Sequence, residues 1–367
     1  MQSSKQPNNT PSSDDKETKE DQNSTKTAPP KRSLPSSLLI TMSLDNINEL
    51  SNHRIARGST AVVAKTTLHR TDVEKKVVAT VAAKIAILRD SSSAAARQQA
   101  EDRIFNEAYF LNECKKRNAK YVVKIVKYCI DPRPCLFVEW IDSTLLNLMF
   151  AKDYKGQPVL DTEKALVIMM DISHALHELK ESGIVHGDIK PENIFVRNDF
   201  RAKLGDFDTA QTAGFRNGHN IVGTLGYIAP ELVENGIMTY EADMFSYGIT
   251  FLEVAAAKDK LWYDRNILKN IEDDNVLIEM TRNGQLRTNA SDALRRVQSS
   301  YSNGRYFSDN TYDMIKKCIS NKPKERPAPE KVVLTLSRSL VFFKTSNEHQ
   351  KNIDFIESME AFSKLTM

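Results

Sequence analysis

The stretch His186-Gly187-Asp188-Ile189-Lys190-Pro191-Glu192-Asn193, followed by Leu204-Gly205-Asp206-Phe207-Asp208, gathers residue types suited to one kind of chemistry. An Asp, a Lys two positions on, an Asn five on and an Asp eighteen on would bring a base, a cation and two oxygen donors to the mouth of one cleft. A nucleoside triphosphate carries charge that Mg2+ can neutralise, and that ion prefers carboxylate, amide and water oxygens. Asp206 and Asn193 are therefore candidate metal ligands. Asp188 is suited to accept or orient a hydroxyl proton, and Lys190 to balance charge developing on a transferred phosphoryl group. These are the parts that phosphoryl transfer requires.

Such a set must be held by elements on both sides of the cleft. The apolar run from Val77 to Ile87 contains Val81-Ala82-Ala83-Lys84-Ile85-Ala86. A lysine inside a buried strand is costly unless an anion meets it, so Lys84 is a candidate for binding the α- and β-phosphates. From Ala100 to Lys116, Ile104, Ala108 and Leu111 repeat at helical spacing. Tyr121 to Tyr128 and Cys135 to Ile141 read as two further strands. Asp161 to Ser182 predicts a helix, capped by Asp161 or Thr162 and ended by Gly183, with an apolar stripe through Ile168, Met169, Ile172 and Leu176. It delivers the chain into the segment that holds Asp188.

Over roughly residues 47 to 345 the sequence resembles the eukaryotic-type protein kinase family. Lys190 and Gly223-Thr224, ahead of Tyr227-Ile228-Ala229-Pro230-Glu231, resemble its serine/threonine branch. The resemblance implies an α+β, two-lobed protein kinase-like fold: a small antiparallel-sheet N-lobe with one main helix over about 47-138, a hinge over about 139-143, and a larger, mainly helical C-lobe over about 144-345. It implies ATP and Mg2+ as cofactors and a protein bearing Ser or Thr as substrate. Asp188 and Lys190 would be catalytic, and Asn193 and Asp206 would hold the metal.

Glu107 would be the partner of Lys84, with Glu101 as an alternative. Ile55-Ala56-Arg57-Gly58-Ser59-Thr60-Ala61 resembles the family's glycine-rich loop, so that Ile55 and Gly58 would cover the nucleotide. The carbonyl of Glu139 and the amide of Ile141 would hold the adenine, Val138 would stand at the gatekeeper position, and Val63, Ala82 and Phe195 would sandwich the ring. His186 would pack below Phe207 and serve structure. Residues 206 to 231 would form the activation segment, and Glu231 would form a buried ion pair with Arg326.

Several positions depart from the family pattern. Gly187 replaces an Arg, Asp208 replaces a Gly, and Ala56 and Ala61 replace two loop glycines. Loss of the Arg removes a cation that reads an activation-loop phosphate. Phosphorylation at Thr209, Thr212 or Thr224 is therefore expected to be dispensable, with Thr224 open to a separate role in positioning the catalytic loop. Two alternatives remain open, a catalytically impaired scaffold and a small-molecule kinase of the aminoglycoside or choline type.

The bulk properties fit this picture. The chain has 367 residues and a formal charge of +3, which gives no reason to propose nucleic acid or a membrane as a partner. Its four cysteines lack paired metal-ligand spacing. No apolar run reaches the roughly eighteen residues of a membrane span, and the polar start is unlike a signal core. A cytoplasmic location, with the nucleus open, is expected, and the oligomeric state is left open. Residues 1-46 are polar enough to predict a disordered tail, either bare or regulatory, and residues 346-367 form a C-terminal extension.

Overall fold

Alternating apolar and polar residues give the first half of the molecule a five-stranded antiparallel sheet. The structure is a computed structural model that describes residues 32–58, 60–72, 75–88, 92–218, 221–256, 273–299 and 307–347. The described residues from Leu34 onward belong to one compact unit. A short helix, α1 (Leu44–Asn52), leads into β1 (Arg54–Arg57), β2 (Ala61–Asp72) and β3 (Lys75–Ala86). Helix α2 (Ala94–Lys116) follows, then β4 (Ile125–Cys129) and β5 (Cys135–Glu139), in the sheet order β1-β2-β3-β5-β4. Lys84 lies opposite Val63 on one side and Leu136 on the other, while Ala82 lies opposite Lys65 and Val138. Directly opposed residues share a face, so Lys84, Ala82, Val63 and Val138 face the cleft together. The alternate residues Val62, Val81, Ala83, Ile85 and Phe137 form the other face, a core with Ile47 of α1.

Packing extends the domain further toward the N-terminus than expected. Leu38 is buried, the Ile40 amide donates to the Tyr128 carbonyl at 2.9 Å, and Lys127 Nζ donates to the Ser37 carbonyl at 2.6 Å. The predicted tail over 1-46 thus gives way to packed chain from Leu34, because Leu38, Ile40 and Met42 supply apolar surface that composition alone averages away. Its first 31 residues lie outside the described residues. Helix α2 also begins six residues before the predicted Ala100, where the Ser93 hydroxyl accepts from the Ala96 amide at 3.2 Å and the Ala94-Ala95-Ala96 run favours helix. The strands predicted over Tyr121 to Tyr128 and Cys135 to Ile141 are shorter than expected, at Ile125–Cys129 and Cys135–Glu139.

The second half is helical. It comprises β6 (Ser143–Thr144), α3 (Leu145–Phe150), α4 (Thr162–Glu181), β7 (Ile184–Val185), β8 (Ile194–Val196), β9 (Ala202–Leu204), β10 (Gln211–Thr212), α5 (Pro230–Asn235) and α6 (Tyr240–Ala256). Then come α7 (Asp274–Arg282), α8 (Gln285–Ser299), α9 (Asp309–Cys318) and α10 (Pro329–Asn347). Asp161 caps α4 by accepting from the Lys164 amide at 2.9 Å, as its sequence predicts. Helix α6 is buried along almost its whole length and forms the centre of this lobe. The polar region from 258 to 310 contains α7 and α8, while 257–272 and 300–306 lie outside the described residues. Helix α10 runs into the predicted extension as far as Asn347, and 348–367 lie outside the described residues. The α+β, two-lobed arrangement expected from the sequence is the one formed.

Candidate active site

Lys84 is delivered to the cleft by the alternation of β3 and is met there by two carboxylates. Its Nζ lies 2.8 Å from Glu107 Oε2 on α2 and also bonds Asp206 Oδ1, which follows β9. Glu107 is thus the partner, and the alternative Glu101 instead pairs with Arg97 at 2.9 Å. Burial works against the Lys84 ammonium, but Glu107, Asp206 and Asp208 outweigh it and raise its pKa. Burial pushes the Glu107 carboxyl up to about 7 against the pull of Lys84. At Asp206 burial is overcome by Lys84, and the carboxyl is held below its usual range. The other oxygen of Glu107 accepts from the Phe207 amide at 3.3 Å, so α2 grips both Lys84 and the Asp206-Phe207 turn. A cavity of about 190 Å3 opens on the α2 side of Lys84, lined by Thr60, Ala86, Arg103, Glu107 and Asp208.

On the opposite wall, Asp188 is held by three donors. Lys190 Nζ reaches its Oδ2 at 2.7 Å, Asn193 Nδ2 reaches the same oxygen at 3.0 Å, and the Thr224 hydroxyl donates to Oδ1 at 2.6 Å. Lys190 also donates to the Thr224 hydroxyl at 2.6 Å. Asn193 Nδ2 is further engaged by the Asp188 carbonyl at 2.8 Å, which leaves Oδ1 as the donor atom that this amide can offer a metal. Oδ1 of Asn193 and the ionised Asp206 carboxylate fit Mg2+, which takes few protein oxygens and completes its shell with phosphate and water.

The loop that carries Asp188 is fixed from below. Asp243, at the start of α6, accepts from the amides of His186 at 2.7 Å and Gly187 at 2.9 Å. His186 is fully buried and packs edge-on against Phe207 with ring centroids 4.7 Å apart. The Asp188 amide donates to His186 Nδ1 at 3.2 Å, so the ring proton sits on Nε2 and is given to the Gly205 carbonyl at 3.0 Å. Both ring nitrogens are spent on backbone, which gives His186 the structural role its sequence context predicts.

The remaining predicted residues frame the space between the lobes. Val63 and Ala82 lie on the cleft face of the sheet, and Phe195 lies on β8 of the other lobe. Strand β5 ends at Glu139, and the chain crosses between lobes through Trp140 and Ile141. Ile55 is 56% exposed at the rim, and the Gly58 amide closes its turn on the Ala61 carbonyl at 2.8 Å.

Three participants escaped the sequence. Lys203, buried on β9, forms a 2.5 Å ion pair with the Glu139 side chain and ties the lobe crossing to the strand before Asp206. Trp140 lies under the Lys65 ammonium, 4.5 Å from its ring centroid. Asn106, beside Glu107, donates to the carbonyls of Asp208 and Ala210, each at 3.1 Å. For Lys203 a signal existed, since Ala202 and Leu204 flank it as apolar residues flank Lys84.

Residues 51–335 match the family model described as a protein kinase domain. Among curated proteins, a proline-rich receptor-like protein kinase of Arabidopsis thaliana is 31% identical over 206 residues, spanning 53% of this chain and 28% of that protein. A second of the same description and organism is 27% identical over 270 residues, 69% of this chain and 51% of that protein. A probable LRR receptor-like serine/threonine-protein kinase of the same plant is 33% identical over 145 residues, 37% of this chain and 14% of that protein. The chain therefore spans between about a seventh and a half of the length of these relatives. No helix among the described residues is long and apolar enough to cross a membrane.

Proposed function

The chain belongs to the protein kinase family, and from that membership we propose that it is an ATP- and Mg2+-dependent kinase that phosphorylates serine or threonine hydroxyls of proteins. The observation that carries this is the convergence on one cleft of Lys84, Glu107 and Asp206 with the tethered group Asp188, Lys190, Asn193 and Thr224.

Bound Mg-ATP supplies the phosphoryl group and the metal that neutralises it. The protein's part is positioning and electrostatics. Lys84, kept protonated by its carboxylate neighbours, offers its charge to the phosphates, while Glu107 holds it in place. Asp206 and Asn193 would hold the metal. Val63, Ala82 and Phe195 would enclose the adenine, and the backbone at Glu139 and Ile141 would fix it under the cover of Ile55 and Gly58. Asp188, held by its three donors, orients the acceptor hydroxyl and takes its proton. Lys190 faces the charge that develops on the moving group. Lys190 with Thr224 supports serine or threonine as acceptor. The four cysteines are buried free thiols, which supports a reducing, cytoplasmic setting.

Phosphorylation of a peptide array by the purified protein, with Asp188→Asn as control, tests this. Turnover by the wild type on Ser or Thr peptides, lost in the variant, is expected. Mg-ATP binding without turnover in either protein would favour the scaffold, and transfer only to choline or aminoglycosides would favour the small-molecule kinase.

A further inference from the structure

Gly187 lies at the centre of the active-site contacts. Its φ is +82°, a conformation that side chains rarely adopt, and a Cβ there would stand 2.6 Å from the Met238 methyl carbon. Met238 is completely buried. The space that an arginine would enter from position 187 is therefore filled by a thioether arriving from the segment between α5 and α6.

Met238 is also woven into the activation segment. Its amide donates to the Phe215 carbonyl at 2.9 Å, its carbonyl accepts from the Gly214 amide at 2.8 Å, and the Asn217 amide donates to the Gly236 carbonyl at 2.8 Å. Further back, the Thr209 hydroxyl donates to the His186 carbonyl at 2.9 Å, and the Ala213 amide donates to the Gly183 carbonyl at 2.9 Å. Asn106 holds residues 208 and 210 from the α2 side. All of these anchors are uncharged.

The contacts continue upward to the chemistry. A Cβ at Gly223 would stand 2.5 Å from the Gly187 carbonyl oxygen, so these two backbones touch. The next residue, Thr224, donates to Asp188. Met238 thus supports Gly187, Gly187 supports Gly223, and Thr224 aims Asp188.

We propose that Met238 is a positioning residue for phosphoryl transfer, which locks the activation segment against Gly187 by packing and makes a phosphate on that segment unnecessary for order. This rests on the kinase assignment above. Loss of the buried side chain frees the segment and blurs the aim of Asp188, while leaving the nucleotide contacts of Lys84, Glu107 and Asp206 intact. Met238→Leu keeps the volume.

The test compares wild type, Met238→Ala and Met238→Leu, each treated with phosphatase and confirmed unphosphorylated by intact mass. We expect Met238→Ala to lower kcat about tenfold, since small misplacements of reacting groups are costly, with Mg-ATP affinity unchanged and faster amide exchange over residues 208–218. Met238→Leu should restore both. Should Met238→Ala not fold, Met238→Val is measured in the same way. A folded Met238→Ala with wild-type kcat and unchanged exchange overturns the proposal, as does an unphosphorylated wild type that gains activity only when its activation segment is phosphorylated. If the wild type turns over no substrate, the kinase assignment fails by itself, and the exchange measurement still decides whether Met238 locks the segment.

Discussion

Thr224→Ala is the sharpest probe of the catalytic loop. The Thr224 hydroxyl donates to Asp188 Oδ1 and accepts from Lys190, both at 2.6 Å, so one small group holds two charged ones. Its removal leaves Oδ2 of Asp188 with Lys190 and Asn193 but takes the donor from Oδ1, the oxygen that sets the tilt of the carboxylate. A hydrogen bond to a charged group contributes about 1.5–3 kcal/mol. If that is expressed in the transition state, where about 1.4 kcal/mol is tenfold, kcat falls by roughly 10- to 150-fold. The KM for ATP should stay within about twofold, because uniform binding is not what Thr224 provides. Thr224→Ser keeps the hydroxyl and should retain most of the rate. Steady-state assays on one Ser/Thr peptide, with ATP varied, separate these quantities. A kcat for Thr224→Ala within a factor of about two of wild type would refute the role given to the hydroxyl, as would Thr224→Ser falling as far as Ala.

Two further outcomes follow from burial. Arg326, whose side chain is wholly buried and bonded to Glu231 at 2.8 Å, leaves an unpaired and mostly buried carboxylate when changed to Ala; urea unfolding should show a loss of about 3–5 kcal/mol, with the double variant Arg326→Leu, Glu231→Leu recovering part of it. His174 is held neutral down to about 4 by burial, with His177 and Arg201 adding to the effect, so the unfolded chain takes up a proton that the folded one refuses and stability falls as pH drops from 6.5 toward 4. His174→Gln should make that slope shallower, by at most about 1.4 kcal/mol per pH unit.

What was legible in the sequence was charge placed where charge is costly. Lys84 in an apolar strand, and the spacing from Asp188 to Asp206, announced a site because burying such groups demands partners. The same rule applies to Lys203, whose partner Glu139 stands 64 residues away, and a strand as short as β9 concealed it. Neutral participants carried no such mark. Asn106 acts through one amide on two distant carbonyls, and Met238 through its volume, so neither differs in the sequence from a surface or core residue. The boundary at Leu34 was missed for a related reason, since three or four apolar side chains suffice to dock a segment whose average composition is polar.

The departures from the family pattern have local compensation rather than damage around them. Ala61 lies in β2 opposite Ala86, in strand backbone that does not itself call for a glycine. Asp208 adds a third carboxylate to the field that keeps Lys84 protonated, and burial and Asp206 raise its own pKa. Its carbonyl, meanwhile, is taken by Asn106. Gly187 is held on three sides, by Asp243 at its amide, Gly223 at its carbonyl and Met238 at its α-carbon. An arginine could not be restored at 187 without displacing Met238, and Met238 could not be truncated without a void beneath the catalytic loop. The two positions therefore form one unit, and under the proposal above packing supplies here an order that elsewhere depends on a phosphate and its arginine.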